Sequence, residues 1–146
     1  MSDADTHHQG GDDALEQAYI LVVDNDEDGR MLVSRILKRQ GYRVENAADG
    51  RDAVGKVEGG RVDLIVLDVM MPEMDGYAVY RHLRESDRTR HIPIIMLTAL
   101  NQSDQVERAL NILPDWYITK PFDAGYLLKR VRQVLFNSHN PRPLTL

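Results

Sequence analysis

The chain lacks several features that would each point to a particular class of protein. It has no cysteine among its 146 residues, which excludes disulfides, thiolate nucleophiles and thiolate zinc sites, and suits a reducing compartment. No apolar run approaches membrane-spanning length, and the polar, acidic start shows no signal peptide. A net charge of -5 argues against intrinsic nucleic-acid binding. We therefore expect a cytoplasmic protein that contacts no membrane and does not bind nucleic acid directly.

The residues that are present suit one globular domain between two polar tails. Hydrophobic residues make up 42% of the chain and charged residues 28%, as in soluble domains with a sizeable core. Residues 1–17 are rich in Asp, His and Gly, so we expect a disordered acidic tail there. We expect a second, flexible tail over residues 138–146, where two prolines forbid a helix. The folded domain is expected over residues 18–137.

Between the tails, short apolar runs alternate with segments in which apolar residues recur every three or four positions. The runs predict five strands, at Tyr19–Val23, Tyr42–Asn46, Leu64–Leu67, Ile92–Leu97 and Trp116–Thr119. The periodic segments predict five helices, around Met31–Leu37, Arg51–Glu58, Tyr77–Glu85, Gln102–Leu110 and Leu127–Leu135. In the first of them, the apolar stripe is made of Met31, Leu32, Val33, Ile36 and Leu37. Gly41 would stop the first of these helices, and Asp123 would cap the last. The alternation predicts an α/β fold, with helices on both faces of a parallel sheet and right-handed crossovers.

Chemically active side chains follow four of the predicted strands. They are Asp24 to Asp26 after the first strand, Asp68 after the third, Thr98 after the fourth and Lys120 after the fifth. Because the carboxyl ends of parallel strands meet at one edge of a sheet, ligands bind beyond that edge. The sequence therefore predicts carboxylates, a hydroxyl and an ammonium group converging there. The alternative is that these are ordinary solvated loop residues, with Asp68 only ending a strand or capping a helix.

Four motifs of this chain resemble the signatures of receiver domains of bacterial two-component response regulators. They are Ile20–Asp24, Val66–Gly76, Ile92–Ala99 and Tyr117–Phe122. They occur in the order and with the spacing of that family, over about Tyr19 to Phe136. The resemblance implies a (βα)5 doubly wound sheet with the flavodoxin-like strand order 2-1-3-4-5. It also implies a role in phosphorelay signal transduction.

The resemblance further implies a phosphoprotein in which Asp68 takes a phosphoryl group from a phosphohistidine and becomes an aspartyl phosphate. Magnesium, or Mn²⁺, would offset the repulsion between the negative charges that must meet there. The implied metal ligands are Asp24, Asn25, Asp68 and the backbone carbonyl of Met70, with Asp26 as a further candidate. Lys120 would pair with the phosphoryl oxygens, and its peptide bond to Pro121 would be cis.

Thr98 and Tyr117 occupy the positions of the family's switch residues. By resemblance, the Thr98 hydroxyl moves to bond the phosphoryl oxygens and Tyr117 turns inward, which alters the face of the fourth helix, fifth strand and fifth helix. The alternative for Tyr117 is a half-buried strand tyrosine with no switch role.

The partners that the resemblance implies are a sensor histidine kinase or phosphotransfer protein, and a downstream effector protein or domain. The chain itself would be a monomer or a weak, phosphorylation-dependent dimer. It would not be an enzyme in the ordinary sense, because it would catalyse only its own phosphoryl transfer and slow autodephosphorylation.

Three positions depart from the family or tune its chemistry. Asn25 stands where the second acidic residue is usual, which predicts functional but weaker Mg²⁺ binding, with Asp26 as a possible compensation. Met70 and Leu100 occupy the two positions that set phosphoryl lifetime. Both are apolar and cannot orient an attacking water, so we predict slow self-dephosphorylation.

Other functions remain open alternatives to a phosphorylated receiver. The runner-up is a pseudo-receiver, a binding module that works without phosphorylation; Asn25 favours it, whereas Asp68, Thr98 and Lys120 oppose it. A flavodoxin-like cofactor enzyme lacks support, because no Gly-rich phosphate loop follows the first strand. Aspartyl-phosphate hydrolases use a second Asp where this chain has Met70. The kinase, the signal, the output partner and the chain's place as a stand-alone regulator or part of a longer protein are not encoded in these motifs.

Overall fold

The computed structural model describes residues 18–69, 76–99 and 116–139. Its strands are β1 (Tyr19–Val23), β2 (Arg43–Ala47), β3 (Leu64–Asp68), β4 (Ile94–Ala99) and β5 (Trp116–Lys120). The helices within the described ranges are α1 (Glu27–Arg39), α2 (Gly50–Gly59), α3 (Gly76–Arg84) and α4 (Ala124–His139). The helix predicted over Gln102–Leu110 lies outside the described residues, so α4 is the fifth predicted helix.

The five strands form one parallel sheet in the order β2-β1-β3-β4-β5. This confirms the predicted fold and strand order. The bounds of β1 are the predicted ones, and the other four strands differ from the predicted bounds by one or two residues. In particular, β4 begins at Ile94 rather than Ile92, and the carbonyl of Pro93 accepts a hydrogen bond of 3.0 Å from Ile65 N.

The sheet has two buried faces, because successive side chains of a strand point in opposite directions. Leu21, Ile65 and Met96 lie on the face covered by α2 and α3. Ile20, Val66 and their neighbours lie on the face covered by α1 and α4. Every residue of β3 is buried, which explains why its sequence is a continuous apolar run rather than an alternating one.

The helix ends follow from local hydrogen bonding. Asp26 caps α1, where its Oδ2 accepts a hydrogen bond of 3.0 Å from Gly29 N. Gly41, with φ of 102°, follows the end of α1, and Asp123 Oδ1 accepts from Tyr126 N at 2.7 Å at the start of α4. Both predicted end signals are therefore confirmed. The α4 helix continues to His139, slightly past the predicted limit of the domain at residue 137.

The apolar stripe predicted for α1 is partly wrong. Val33 and Leu37 are buried, but Met31 and Leu32 are about half exposed. Consecutive residues are spaced about 100° apart around a helix, so three in a row cannot all face the sheet.

Across the described ranges, no helix is both long enough and apolar enough to span a membrane.

Candidate functional site

The parallel register brings the carboxyl ends of β1, β3, β4 and β5 to one edge of the sheet. Asp68 ends β3 and pairs with Leu97, while Thr98 pairs with Thr119 one residue before Lys120. Asp24 directly follows β1, and its backbone N–H donates to the carbonyl of Ala47 at 3.1 Å. The strands themselves therefore hold these side chains at neighbouring positions.

Asp68 and Lys120 form an ion pair at this edge. The distance from Lys120 Nζ to Asp68 Oδ1 is 3.3 Å, and the side chains are 41% and 5% exposed. The ammonium group thus reaches a buried carboxylate from the solvent side. Thr98, on the strand between them, is fully buried. The peptide bond between Lys120 and Pro121 is cis, as the motif implied.

A second carboxyl group, that of Asp24, lies against Asp68. Asp24 is only 3% exposed. Burial, together with hydrogen bonding and repulsion from Asp68, raises the pKa of Asp24 from 3.8 to about 6. The N–H of Asp26, which donates to Asp24 Oδ1 at 2.9 Å, and the charge of Lys120 both oppose that rise. The carboxyl groups of Asp24 and Asp68 contact each other and have one ammonium group, that of Lys120, beside them, so the site carries less positive than negative charge when both are ionised.

The loop after Asp24 is held by hydrogen bonds between side chains and backbone. The carboxylate of Asp26 caps α1, so one of its oxygens already accepts the Gly29 N–H. Arg30 Nη1 donates to the backbone carbonyl of Asp24 at 2.7 Å. Asn25 and Asp26 are both exposed. The residue proposed to compensate for Asn25 is therefore also the cap of a helix.

Gly76 supports the site by close backbone approach, a role that the sequence alone did not reveal. A Cβ at Gly76 would stand 2.5 Å from the carbonyl oxygen of Asp68 and 2.5 Å from the Cα of Val69. The Gly76 N–H also donates to the carbonyl of Val69 at 3.2 Å. The sequence marks Gly76 only as a turn residue, because a contact across a loop leaves no periodic signal.

The remaining predicted residues are placed as follows. Tyr117 is half-buried on β5 and packs against the core that α2 and α3 cover. Met70 and Leu100 lie outside the described residues, so their predicted roles stay predictions.

The donor chemistry of the site suits Mg²⁺. Over the ranges that the structure describes, no group of three or more His, Cys, Asp or Glu side chains could hold a metal ion. Magnesium, however, needs only one or two carboxylates, with waters, carbonyls and phosphate oxygens for the rest. Asp24 and Asp68, which are buried and in contact, could supply those two carboxylates.

Comparison with known proteins gives a consistent result. A family model described as the response regulator receiver domain matches residues 20–132. The DNA-binding dual master transcriptional regulator RpaA of Synechocystis is 41% identical over 116 residues, 80% of this chain and 48% of that protein. The chain thus spans about half the length of the curated relatives that it matches.

Solved structures agree with this match. The receiver domain of a signal transduction histidine kinase from Syntrophus aciditrophicus is 37% identical with a TM-score of 0.78, and the match covers 88% of this chain and 98% of that one. The receiver domain of a Pseudomonas aeruginosa sensor histidine kinase is 32% identical with a TM-score of 0.75, covering 82% and 98%. The latter is described with a magnesium ion coordinated in its active site cleft.

Proposed function

Because the chain belongs to the response regulator receiver family, we propose that it accepts a phosphoryl group on Asp68 from a histidine kinase or phosphotransfer protein. One observation carries this proposal: a buried carboxylate, that of Asp68, lies between a second carboxyl group and an ammonium group. Burying such charges costs free energy unless they are fully paired. A site that binds a cation and an anionic phosphoryl group would explain the arrangement, because these groups would complete the pairing of the buried charges.

In the proposed reaction, an oxygen of Asp68 attacks phosphorus as the P–N bond to the donor imidazole breaks. The electron pair of that bond leaves with the imidazole nitrogen, which takes up a proton, so Asp68 loses its own negative charge and the acyl phosphate carries the charges that the phosphoryl group brought. Lys120, at 3.3 Å from Oδ1, is placed to pair with those phosphoryl oxygens. Bound Mg²⁺ would offset the repulsion between the incoming phosphoryl group and the carboxylates. Asp24, Asn25 and Asp68 would hold it together with the carbonyl of Met70, with Asp26 as a further candidate.

We also propose that Thr98 and Tyr117 carry the signal outward. Thr98 is buried one residue beyond the position on β4 that pairs with Asp68, so we expect its hydroxyl to respond to a modification there. Tyr117 lies on the neighbouring strand β5, where it pairs with Met96 and packs against the core. The output would pass through the β5–α4 region to an effector domain or protein, since the curated relatives are about twice as long as this chain. Location in the cytoplasm and a monomer or weak dimer belong to the same proposal.

The decisive test treats the protein with acetyl phosphate and Mg²⁺ and measures its intact mass. We expect the mass of one added phosphoryl group, lost in Asp68→Asn and in the presence of a chelator. Asp87→Asn is the matched control: Asp87 is exposed, so this substitution should leave the reaction unchanged. Labelling of Asp68→Asn to the wild-type extent would refute Asp68 as the acceptor.

A pseudo-receiver is the second candidate, and the uncharged, exposed Asn25 favours it. In that case no phosphoryl group would be added by acetyl phosphate or by a kinase, at any Mg²⁺ concentration. The protein would then bind its partner equally well with and without the phosphodonor.

A further inference from the structure

The first turn of α1 is built against the carboxylates of the site, at Gly29. A Cβ at Gly29 would stand 2.8 Å from Asp24 Oδ2 and 3.1 Å from Asp26 Oδ2. Both distances are shorter than ordinary van der Waals contact between carbon and oxygen. The two acidic side chains therefore occupy the space that any other residue at this position would fill.

The backbone conformation does not require glycine here. Gly29 lies inside α1, where its N–H donates to Asp26 Oδ2 at 3.0 Å, and a helical conformation is open to every residue except proline. Gly55, inside α2, is different, because a Cβ there would meet nothing within 4 Å. Glycine is unfavourable within helices, and at residue 29 it leaves space beside Asp24 that an alanine would fill.

The atom that a larger residue would displace is the end of a side chain rather than backbone. Asp24 Oδ1 is held at 2.9 Å by the N–H of Asp26, whereas Oδ2 lies over Gly29. A methyl group at residue 29 would therefore turn or shift the Asp24 carboxylate and leave the helix intact. The direction of that carboxylate decides whether it and Asp68 can hold one cation together.

We propose that Gly29 is a positioning residue, whose bare Cα sets the direction of the Asp24 carboxylate and thereby the affinity for Mg²⁺. This inference rests on the proposed function, because it assumes that Asp24 is a metal ligand. Residues that orient metal ligands typically change affinity by about tenfold or more when altered. We expect an effect of about tenfold for Gly29→Ala.

The test compares Mg²⁺ binding to wild type, Gly29→Ala and Gly55→Ala by isothermal titration calorimetry, with MgCl₂ as the titrant. The two variants carry the same chemical change inside a helix, and only the first meets a carboxylate. The inference is supported if Gly29→Ala alone binds Mg²⁺ more weakly while the metal-free variant has a free energy of unfolding no lower than that of wild type. Equal affinity in all three proteins overturns it and leaves the proposed function standing, whereas no binding to wild type overturns both.

A second measurement keeps the inference testable if Gly29→Ala does not fold. Asp24→Ala removes the carboxylate whose Oδ2 lies nearest to the new methyl group and leaves only Asp26 Oδ2, at 3.1 Å, so Gly29→Ala should be better tolerated in that background. A folded double variant beside an unfolded single one supports the contact. If Gly29→Ala is as harmful in the Asp24→Ala background as in wild type, the contact with Asp24 is not what requires glycine, and the inference fails.

Discussion

Replacing Asp24 by Asn should stabilise the metal-free protein, and the gain should depend on pH. The pKa of Asp24 rises from 3.8 to about 6 on folding, chiefly because the carboxyl group is buried. A raised pKa means that the folded protein holds this proton more tightly than the unfolded chain. The stability that it contributes is therefore complete below about pH 4 and is lost as pH rises through about 6.

The size of the effect follows from the shift in pKa. A change of one unit corresponds to about 1.4 kcal/mol, so ionising Asp24 in the folded protein costs about 3 kcal/mol by pH 8. Asn carries no charge at any of these pH values, and its Oδ1 can still accept the N–H of Asp26. The free energy of unfolding of Asp24→Asn, relative to wild type, should rise by up to about 3 kcal/mol between pH 4 and pH 8. In melting temperature this is about 10 °C.

The assay is urea or thermal unfolding of both proteins in a chelator, at several pH values across that range. Asp87→Asn is the control, since it makes the same chemical change at a side chain that is 86% exposed. Added Mg²⁺ should then stabilise wild type far more than Asp24→Asn. A constant difference between Asp24→Asn and wild type at all pH values would refute the argument, as would a loss of stability in Asp24→Asn at pH 8.

Three further predictions concern the rest of the site. Gly76→Ala should lower the free energy of unfolding by about 1–3 kcal/mol in urea titrations, because the new methyl group would meet backbone, whereas Gly55→Ala should be neutral or stabilising; equal effects would contradict this. Asn25→Asp should tighten Mg²⁺ binding measured by calorimetry, since a unit charge at ~4 Å is worth up to about 4 kcal/mol at an effective dielectric near 20, and unchanged affinity would count against it. Phosphorylated protein freed of donor should keep most of its label well beyond seconds, because Met70 and Leu100 cannot orient water, and rapid loss of radiolabel without a phosphatase would disprove this.

The sequence was most informative where one physical requirement dominates. The unbroken apolar run before Asp68 predicted a strand buried on both faces, and β3 is buried throughout. Strand order could not come from periodicity, and it was available only through the resemblance of four motifs to a known family. Because the carboxyl ends of parallel strands meet at one edge of a sheet, the sequence also predicts that Asp24, Asp68 and Lys120 lie together.

The features that the sequence did not reveal depend on distances that are set only in the folded chain. Met31 and Leu32 are apolar, so they entered the predicted stripe of α1, yet each lies about half exposed. The space beside Gly29 and the contact of Gly76 with the backbone of Asp68 are set by residues that are near only after folding. The sequence likewise did not reveal that Asp26 caps α1, because Asp26 lies in an acidic segment that suggests metal binding.

The hydrogen bonds of the β1–α1 loop give the site a spectroscopic reporter of its own. The Asp26 N–H donates a hydrogen bond to the carboxyl group of Asp24, and the Gly29 N–H donates one to the carboxyl group of Asp26. A gain or loss of charge on Asp24 alters the first of these bonds, and the amide resonance of Asp26 should shift accordingly. The ¹H–¹⁵N spectrum of uniformly labelled protein would therefore record protonation and cation binding at this edge of the sheet residue by residue, without a probe being attached.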